Sequence, residues 1–133
     1  MITVIRDTTG AMRQHVHVGR HLIVVDESTA GGGDDSGPNP HDLFDAALGA
    51  CNALTVVWYA KRKGIPVGDV RVDVERDATD ERAGTYRLHT TLTLGGTLTD
   101  DQRRELLLVA GKCPVHKLMT GATIEITTAL AEE

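Results

Sequence analysis

"ALGACNALTVVWYAKRKG", residues 47–64, is apolar or small at almost every position until three basic residues and a glycine end it. This pattern reads as the greater part of one long helix. Asn39 can accept from the free N–H groups of a helix start, and Pro40 suits the first helical position, where no N–H is needed. The helix is therefore predicted from about Pro40 to Lys63, with Lys61, Arg62 and Lys63 complementing its dipole and Gly64 stopping it. Between Leu43 and Tyr59 it carries Ala46, Ala47, Leu48, Ala50, Leu54, Val56, Val57 and Trp58, so it is apolar all round. Such a helix must be covered on several sides. One half-buried sheet covers only one, which implies either a second layer or a partner subunit.

Outward from this helix the signals change period. "ITVIR" and "QHVHVGRHLIVVD" are β-branched or alternating and punctuated by Gly10 and Gly19, which predicts two or three strands in a meander. "DESTAGGGDDSGPNP" has no apolar residue larger than alanine and reads as a surface loop, a mobile lid or plain linker. After the helix, Val70, Val72 and Val74 alternate with Arg71, Asp73 and Glu75, and Tyr86, Leu88, Leu92 and Leu94 repeat the pattern. An antiparallel pair joined through "ATDERAG" is expected. Thr99 with Gln102 forms a capping box for a second helix that Gly111 closes. Cys113 then sits beside the start of a short helix led by Pro114 and ended by Gly121. "ATIEITTAL" alternates Ile124 and Ile126 about Glu125 and predicts a last strand. Strands, long helix, strands, two helices and a strand make an α+β pattern without βαβ repeats.

Composition narrows the function. The 133 residues fit one domain, 1–133, and 41% hydrophobic with 25% charged residues is ordinary for a soluble globular chain. Aromatics are only 3%, too few to stack single-stranded bases, and a net charge of -5 gives no pull toward nucleic acid or an anionic membrane. "MITVIRDTTG" reaches Arg6 and Asp7 before any apolar run develops, so it reads as neither a secretory signal nor an anchor. Nor do about 18 consecutive apolar residues occur as a membrane span. Two cysteines without a secretion signal imply a reducing, cytoplasmic setting, in which any disulfide between them is transient.

Those cysteines are the main chemical candidates. Cys113 lies at a helix start, where the dipole favours a thiolate, and His116 and Lys117 follow within a turn. Alternatively it only caps the helix and fills space. Cys51, mid-helix in apolar surroundings, taken alone reads as core filler. Small neighbours, Gly49 and Ala50 beside one and Gly111 beside the other, permit the close approach a disulfide needs. His15, His17 and His21 share strand parity, but Gly19 and Arg20 interrupt it and no acidic or cysteine ligand stands at metal spacing. A zinc site from Cys51, Cys113, His116 and His41 lacks both C-x-x-C and H-x-x-x-H spacing, so no metal is expected. "GGGDDSG" lacks the lysine and hydroxyl residue of a phosphate loop. Asp42 and Asp45, early in the long helix, are favoured by its dipole.

"GPNPHDLFDAALGACNALTVVWYAKRKGIPVGDVRV" (37–72) and "CPVHKLM" (113–119) resemble the OsmC/Ohr superfamily, most nearly its OsmC-like, YhfA-type branch. The motifs are a G-P-x-P helix start, L-G-A-C on the central helix, a basic-glycine helix end and a late C-P-V-H, and the likeness runs from about Asp26 to the C-terminus. It implies an intertwined homodimer of two-layer α+β subunits, with antiparallel sheets packed around the long central helix. It also implies a thiol peroxidase for small organic hydroperoxides in oxidative or osmotic stress defence. Cys51 would attack the peroxide and Cys113 would resolve the sulfenic acid to a disulfide. No cofactor is implied beyond an external dithiol reductant, such as a lipoylated or thioredoxin-like protein. An arginine held by a carboxylate would activate Cys51. His41 stands where the hydroperoxide-resistance branch carries glutamate, the nearest acid is Asp42, and "STAGGGDDSG" holds no arginine. Of Arg20 and Arg13 on the N-terminal strands, Arg20 is preferred. His41, Phe44, Leu48 and His116 would meet the substrate in an apolar interface cleft. The alternative is a dimeric small-molecule-binding protein of the same fold with weak or no peroxidase activity.

Overall fold

Three short β-branched runs form an antiparallel meander in the computed structural model, which describes residues 1–132. They are β1 (Ile2–Arg6), β2 (Gln14–Val18) and β3 (His21–Val25). Val18 pairs with His21, so Gly19 and Arg20 are the two turn residues, and Gly19 takes φ +58°. Glycine first with positive φ is the two-residue hairpin chemistry that matches strand twist. The register also separates the histidines. Residues opposed across antiparallel strands share a face, so His21 lies with Val18, on the opposite face from His15 and His17. Parity counted straight through the turn had placed all three together.

The chain divides into two compact units, Met1–Ala47 and a second that begins at Leu48. In the first, the acidic glycine-rich stretch is tied down rather than a lid. Asp26 is 3% exposed. Its carboxylate accepts from Glu27 N, Asp34 N, Ser36 N and the Ser36 hydroxyl at 2.6–3.2 Å. Gly33 is needed there, since a Cβ would lie 2.2 Å from the Glu27 carbonyl oxygen and 2.6 Å from Asp26 Oδ1. Nearby, Asp7 accepts from Thr9 N and Oγ1, meets His15 Nε2 at 3.0 Å and takes Arg13 Nη1 at 3.1 Å. The acidic stretch thus folds around Asp26, while Thr9, Arg13 and His15 gather around Asp7.

This arrangement carries a pH signature. The Ser36 hydroxyl, then the Glu27 N–H, with smaller contributions from the Ser36 and Asp34 N–H groups, hold the Asp26 carboxyl at about 2 against the opposing effect of burial. An unfolded aspartate titrates near 3.9. The ionised carboxylate therefore contributes its full stabilisation above about pH 4 and loses it as pH falls toward about 2. Asp26→Asn is expected to destabilise the chain most at neutral pH, with the gap to wild type narrowing between about pH 4 and 2. Urea midpoints across that range check it; a gap independent of pH contradicts it.

Helix α1 (Pro40–Lys63) begins and ends as its flanks dictate. Asp42 N donates to Asn39 Oδ1 at 2.9 Å, and Asn39 N donates to Asp42 Oδ2 at 3.0 Å, a reciprocal cap. Asp45, one turn in, is buried rather than solvated. At the other end Gly64 takes φ +68° and Ile65 N reaches back to Ala60 O at 2.9 Å, a Schellman closure.

Beyond Leu48, β4 (Val70–Asp77) and β5 (Arg87–Leu94) pair antiparallel, Val72 opposite Leu92. Helix α2 (Asp100–Ala110) starts with the Thr99–Gln102 capping box. Helix α3 (Pro114–Gly121) starts at Cys113. Val56, Ala60, Ile65, Leu106 and Ala110 form the core, with Val70, Leu92, Leu94 and Leu98 packed against it. Gly49 lets α1 approach β4, since a Cβ there would come 2.9 Å from Val74 Cγ2. Tyr59 O–H donates to the Glu105 carboxylate, tying α1 to α2.

One expectation changes, and another is met only in part within a single chain. Only one stripe of α1 is covered here: Leu48, Asn52, Val56 and Ala60, four residues apart, are buried, whereas Leu54 and Trp58 stand 71% and 58% exposed. By length and composition α1 is apolar enough to cross a membrane, yet its buried stripe serves the core. The last strand is absent as well. Residues 122–132 take no regular structure, and Ile124 and Ile126 are exposed. Alternation supplies an extended preference, but a strand exists only when a neighbour completes its ladder, and none of β1–β5 pairs with this segment.

Candidate active site

The site in the second unit is built where α1, the end of α2 and the start of α3 meet. Gly111 ends α2 in right-handed geometry, φ −69°, and the chain turns within two residues to Cys113. Cys113 has extended backbone, Pro114 opens α3 after it, and the Cys113 sulfur accepts from His116 N at 3.3 Å. A thiol thus does the capping work usually given to a hydroxyl. Cys113 is 0% exposed. Cys51, on α1, is half-buried and close enough to act on the Cys113 thiol. Both are reduced.

A third residue completes the group. Asn52 is 4% exposed and its Nδ2 donates twice, to Ala110 O and to Cys113 Sγ, each at 3.1 Å. A carbonyl oxygen can only accept, so the amide nitrogen must face this side. Burial pushes the Cys113 thiol above its ordinary range; the His116 N–H and the Asn52 amide pull it down, and the Cys51 thiol pushes it up again. Nothing in the sequence pointed to Asn52, because its partners lie 58 and 61 residues away. The four-residue stripe Leu48, Asn52, Val56, Ala60 was the available signal: a lone amide among apolar positions.

The other residues singled out in the sequence fall as follows. Leu48 is buried on α1 one turn before Cys51. The His116 side chain is exposed, and it is its backbone N–H that reaches the sulfur. In the first unit, Arg20 stands exposed in the β2–β3 turn, and Arg13 is engaged with Asp7 and, through Nε at 2.9 Å, with Ser36. His41, Asp42 and Phe44 are exposed on the first turns of α1. Among the described residues no group of three His, Cys, Asp or Glu side chains is placed to hold a metal ion.

Residues 32–129, which include α1, both cysteines and all of the second sheet, match the model of the OsmC family, described as OsmC-like protein. The chain belongs to the OsmC-like family. Among curated proteins none matches. Solved structures of the same fold include an osmotic stress induced and detoxification response protein from Psychrobacter arcticus 273-4, with TM-score 0.73, 21% identity, and 87% and 85% of the two chains covered. The organic hydroperoxide resistance protein OsmC from Legionella pneumophila gives TM-score 0.65 at 21% identity, covering 91% of this OsmC-like chain and 88% of its own. The organic hydroperoxide resistance protein OhrB of Bacillus subtilis gives 0.61 at 24%, covering 91% and 90%. At these identities the likeness is one of fold.

Proposed function

We propose that this OsmC-like chain is a redox stress protein that reduces organic hydroperoxides to alcohols with its two thiols, working as a homodimer in the cytoplasm. The observation that carries this reading is the pairing of a half-buried Cys51 with a fully buried, hydrogen-bonded Cys113. Names of proteins sharing the fold, organic hydroperoxide resistance among them, support the substrate class.

Burial favours Cys51 as the first thiol to react. A hydroperoxide must touch the first thiol, and only Cys51 has surface to offer. The Cys51 thiolate attacks the terminal peroxide oxygen; the O–O bond breaks, the alkoxide takes a proton to leave as alcohol, and the sulfur becomes sulfenic acid. Cys113 as thiolate then attacks that sulfur. The S–O bond breaks, hydroxide takes a proton to leave as water, and the disulfide holds the oxidising equivalent. An external dithiol, by two exchange steps, restores both thiols and is itself oxidised to a disulfide. Leu48, buried a turn before Cys51, is the proposed apolar contact for the organic group, and Phe44, exposed farther along α1, its extension. His116, exposed on α3, is the proposed polar contact.

Steady-state assays with cumene hydroperoxide and with hydrogen peroxide, each with excess dithiothreitol, test the proposal. Sustained conversion of cumene hydroperoxide to cumyl alcohol, faster than the consumption of hydrogen peroxide, is expected. Consumption at the rate of dithiothreitol alone overturns it.

A further inference from the structure

Asn52 is the polar member of the stripe Leu48, Asn52, Val56 and Ala60 on α1, and the helix offers no reason for it: asparagine is a mediocre helix former, and a buried amide costs free energy unless satisfied. Its satisfaction is specific. One N–H is spent on Ala110 O, which fixes the amide plane, and Nδ2 also donates to Cys113 Sγ. With His116 N at 3.3 Å, the sulfur has two N–H donors from different elements. Hydrogen bonds to an ionised acceptor are roughly twice as strong as neutral ones, so both donors favour the thiolate over the thiol. They also fix the direction of the sulfur beside Cys51.

We propose that Asn52 is a positioning residue for the resolving step: its amide holds the buried Cys113 sulfur toward Cys51 and stabilises it as thiolate for attack on the Cys51 sulfenic acid. The resolving role rests on the peroxidase reading, while the effect on the Cys113 thiolate does not. Cys113 attacks the sulfenic sulfur, the S–O bond breaks, and hydroxide leaves as water after taking a proton. Burial opposes ionisation of Cys113, and this donor pair offsets part of that cost. The titratable group acting on Cys113 from α1 is Cys51; the side chains of Lys112, His116 and Lys117 in the adjoining chain are exposed.

The test uses the full chain with Asn52→Ala, Asn52→Asp and Asn52→Ser, each checked for cooperative melting. In a Cys51→Ser background, where Cys113 is the sole cysteine, ultraviolet thiolate absorbance is titrated against pH. Asn52→Ala is expected to raise the midpoint by about one unit, roughly tenfold less thiolate at a given pH. Asn52→Asp, which replaces a donor with an acceptor, is expected to raise it further, and Asn52→Ser, whose hydroxyl keeps one donor, to recover part of the shift. Should the aspartate variant not fold, the alanine and serine variants give the same comparison. Coincident midpoints overturn the proposal.

With Cys51 present, single-turnover oxidation by cumene hydroperoxide is followed by trapping sulfenic acid with dimedone. In Asn52→Ala the conversion of sulfenic acid to disulfide is expected to slow roughly tenfold at neutral pH, more than sulfenic acid formation does, and to regain rate as pH rises. Equal closure rates at all pH values contradict the positioning role. If the parent chain forms no sulfenic acid at all, the peroxidase reading and the resolving role fall together. The absorbance midpoints then decide separately whether Asn52 governs the Cys113 thiolate.

Discussion

Cys51→Ser should abolish reduction of organic hydroperoxides, by at least about a thousandfold, because a hydroxyl at ordinary pKa is no substitute for a thiolate nucleophile. The matched change, Cys113→Ser, should behave differently. Cys51 remains reachable there, so one equivalent of hydroperoxide is still consumed and the sulfenic acid, having lost its resolving thiol, persists long enough to trap. The two phenotypes separate the thiols by role rather than by need. Equal loss of the first oxidation in both variants would mean that the order of attack drawn from burial is wrong. Retained oxidation in Cys51→Ser would place the nucleophile at Cys113, which is 0% exposed and would have to open first.

Leu106→Ala should cost the chain ~2–5 kcal/mol of folding stability. Leu106 is 0% exposed and lies among Val56, Ala60, Ile65 and Ala110, where α1 and α2 close on the β4–β5 sheet. Truncation removes buried methyl groups and leaves a cavity that neighbours on three separate elements cannot easily collapse into. The change is measured by urea denaturation at one fixed protein concentration, since a homodimer would make the midpoint concentration-dependent. The expected result is a lower midpoint with an unchanged slope. A loss below about 1 kcal/mol would mean that the site repacks and that Leu106 is not central to the core.

Most of the frame was legible because its signals are local. The Asn39 cap, Pro40, the basic last turn and Gly64 lie within a few residues of the ends they define, and α1 runs Pro40–Lys63 as they specify. The Thr99–Gln102 box and the Cys113–Pro114 start are equally short-range. What escaped depends on partners far along the chain or on none. Asn52 meets residues 58 and 61 positions away, and no periodicity links an amide to a distant sulfur. Asp26 sits in a stretch whose composition resembles solvated loop, yet four donors from that same stretch bury it. The segment around Ile124 and Ile126 has the alternation of a strand without a pairing neighbour in this chain. The apolar all-round character of α1 was correctly read, but Leu54 and Trp58 remain uncovered here.

The thiol pair is the centre of the functional account, and the intact mass of the reduced chain after one equivalent of cumene hydroperoxide, without reductant, tests it most directly. The account predicts a loss of two hydrogens and a disulfide joining the Cys51 and Cys113 peptides. An unchanged mass with both thiols still open to alkylation after unfolding would contradict it, and would leave the OsmC-like fold as the frame of a small-molecule-binding protein.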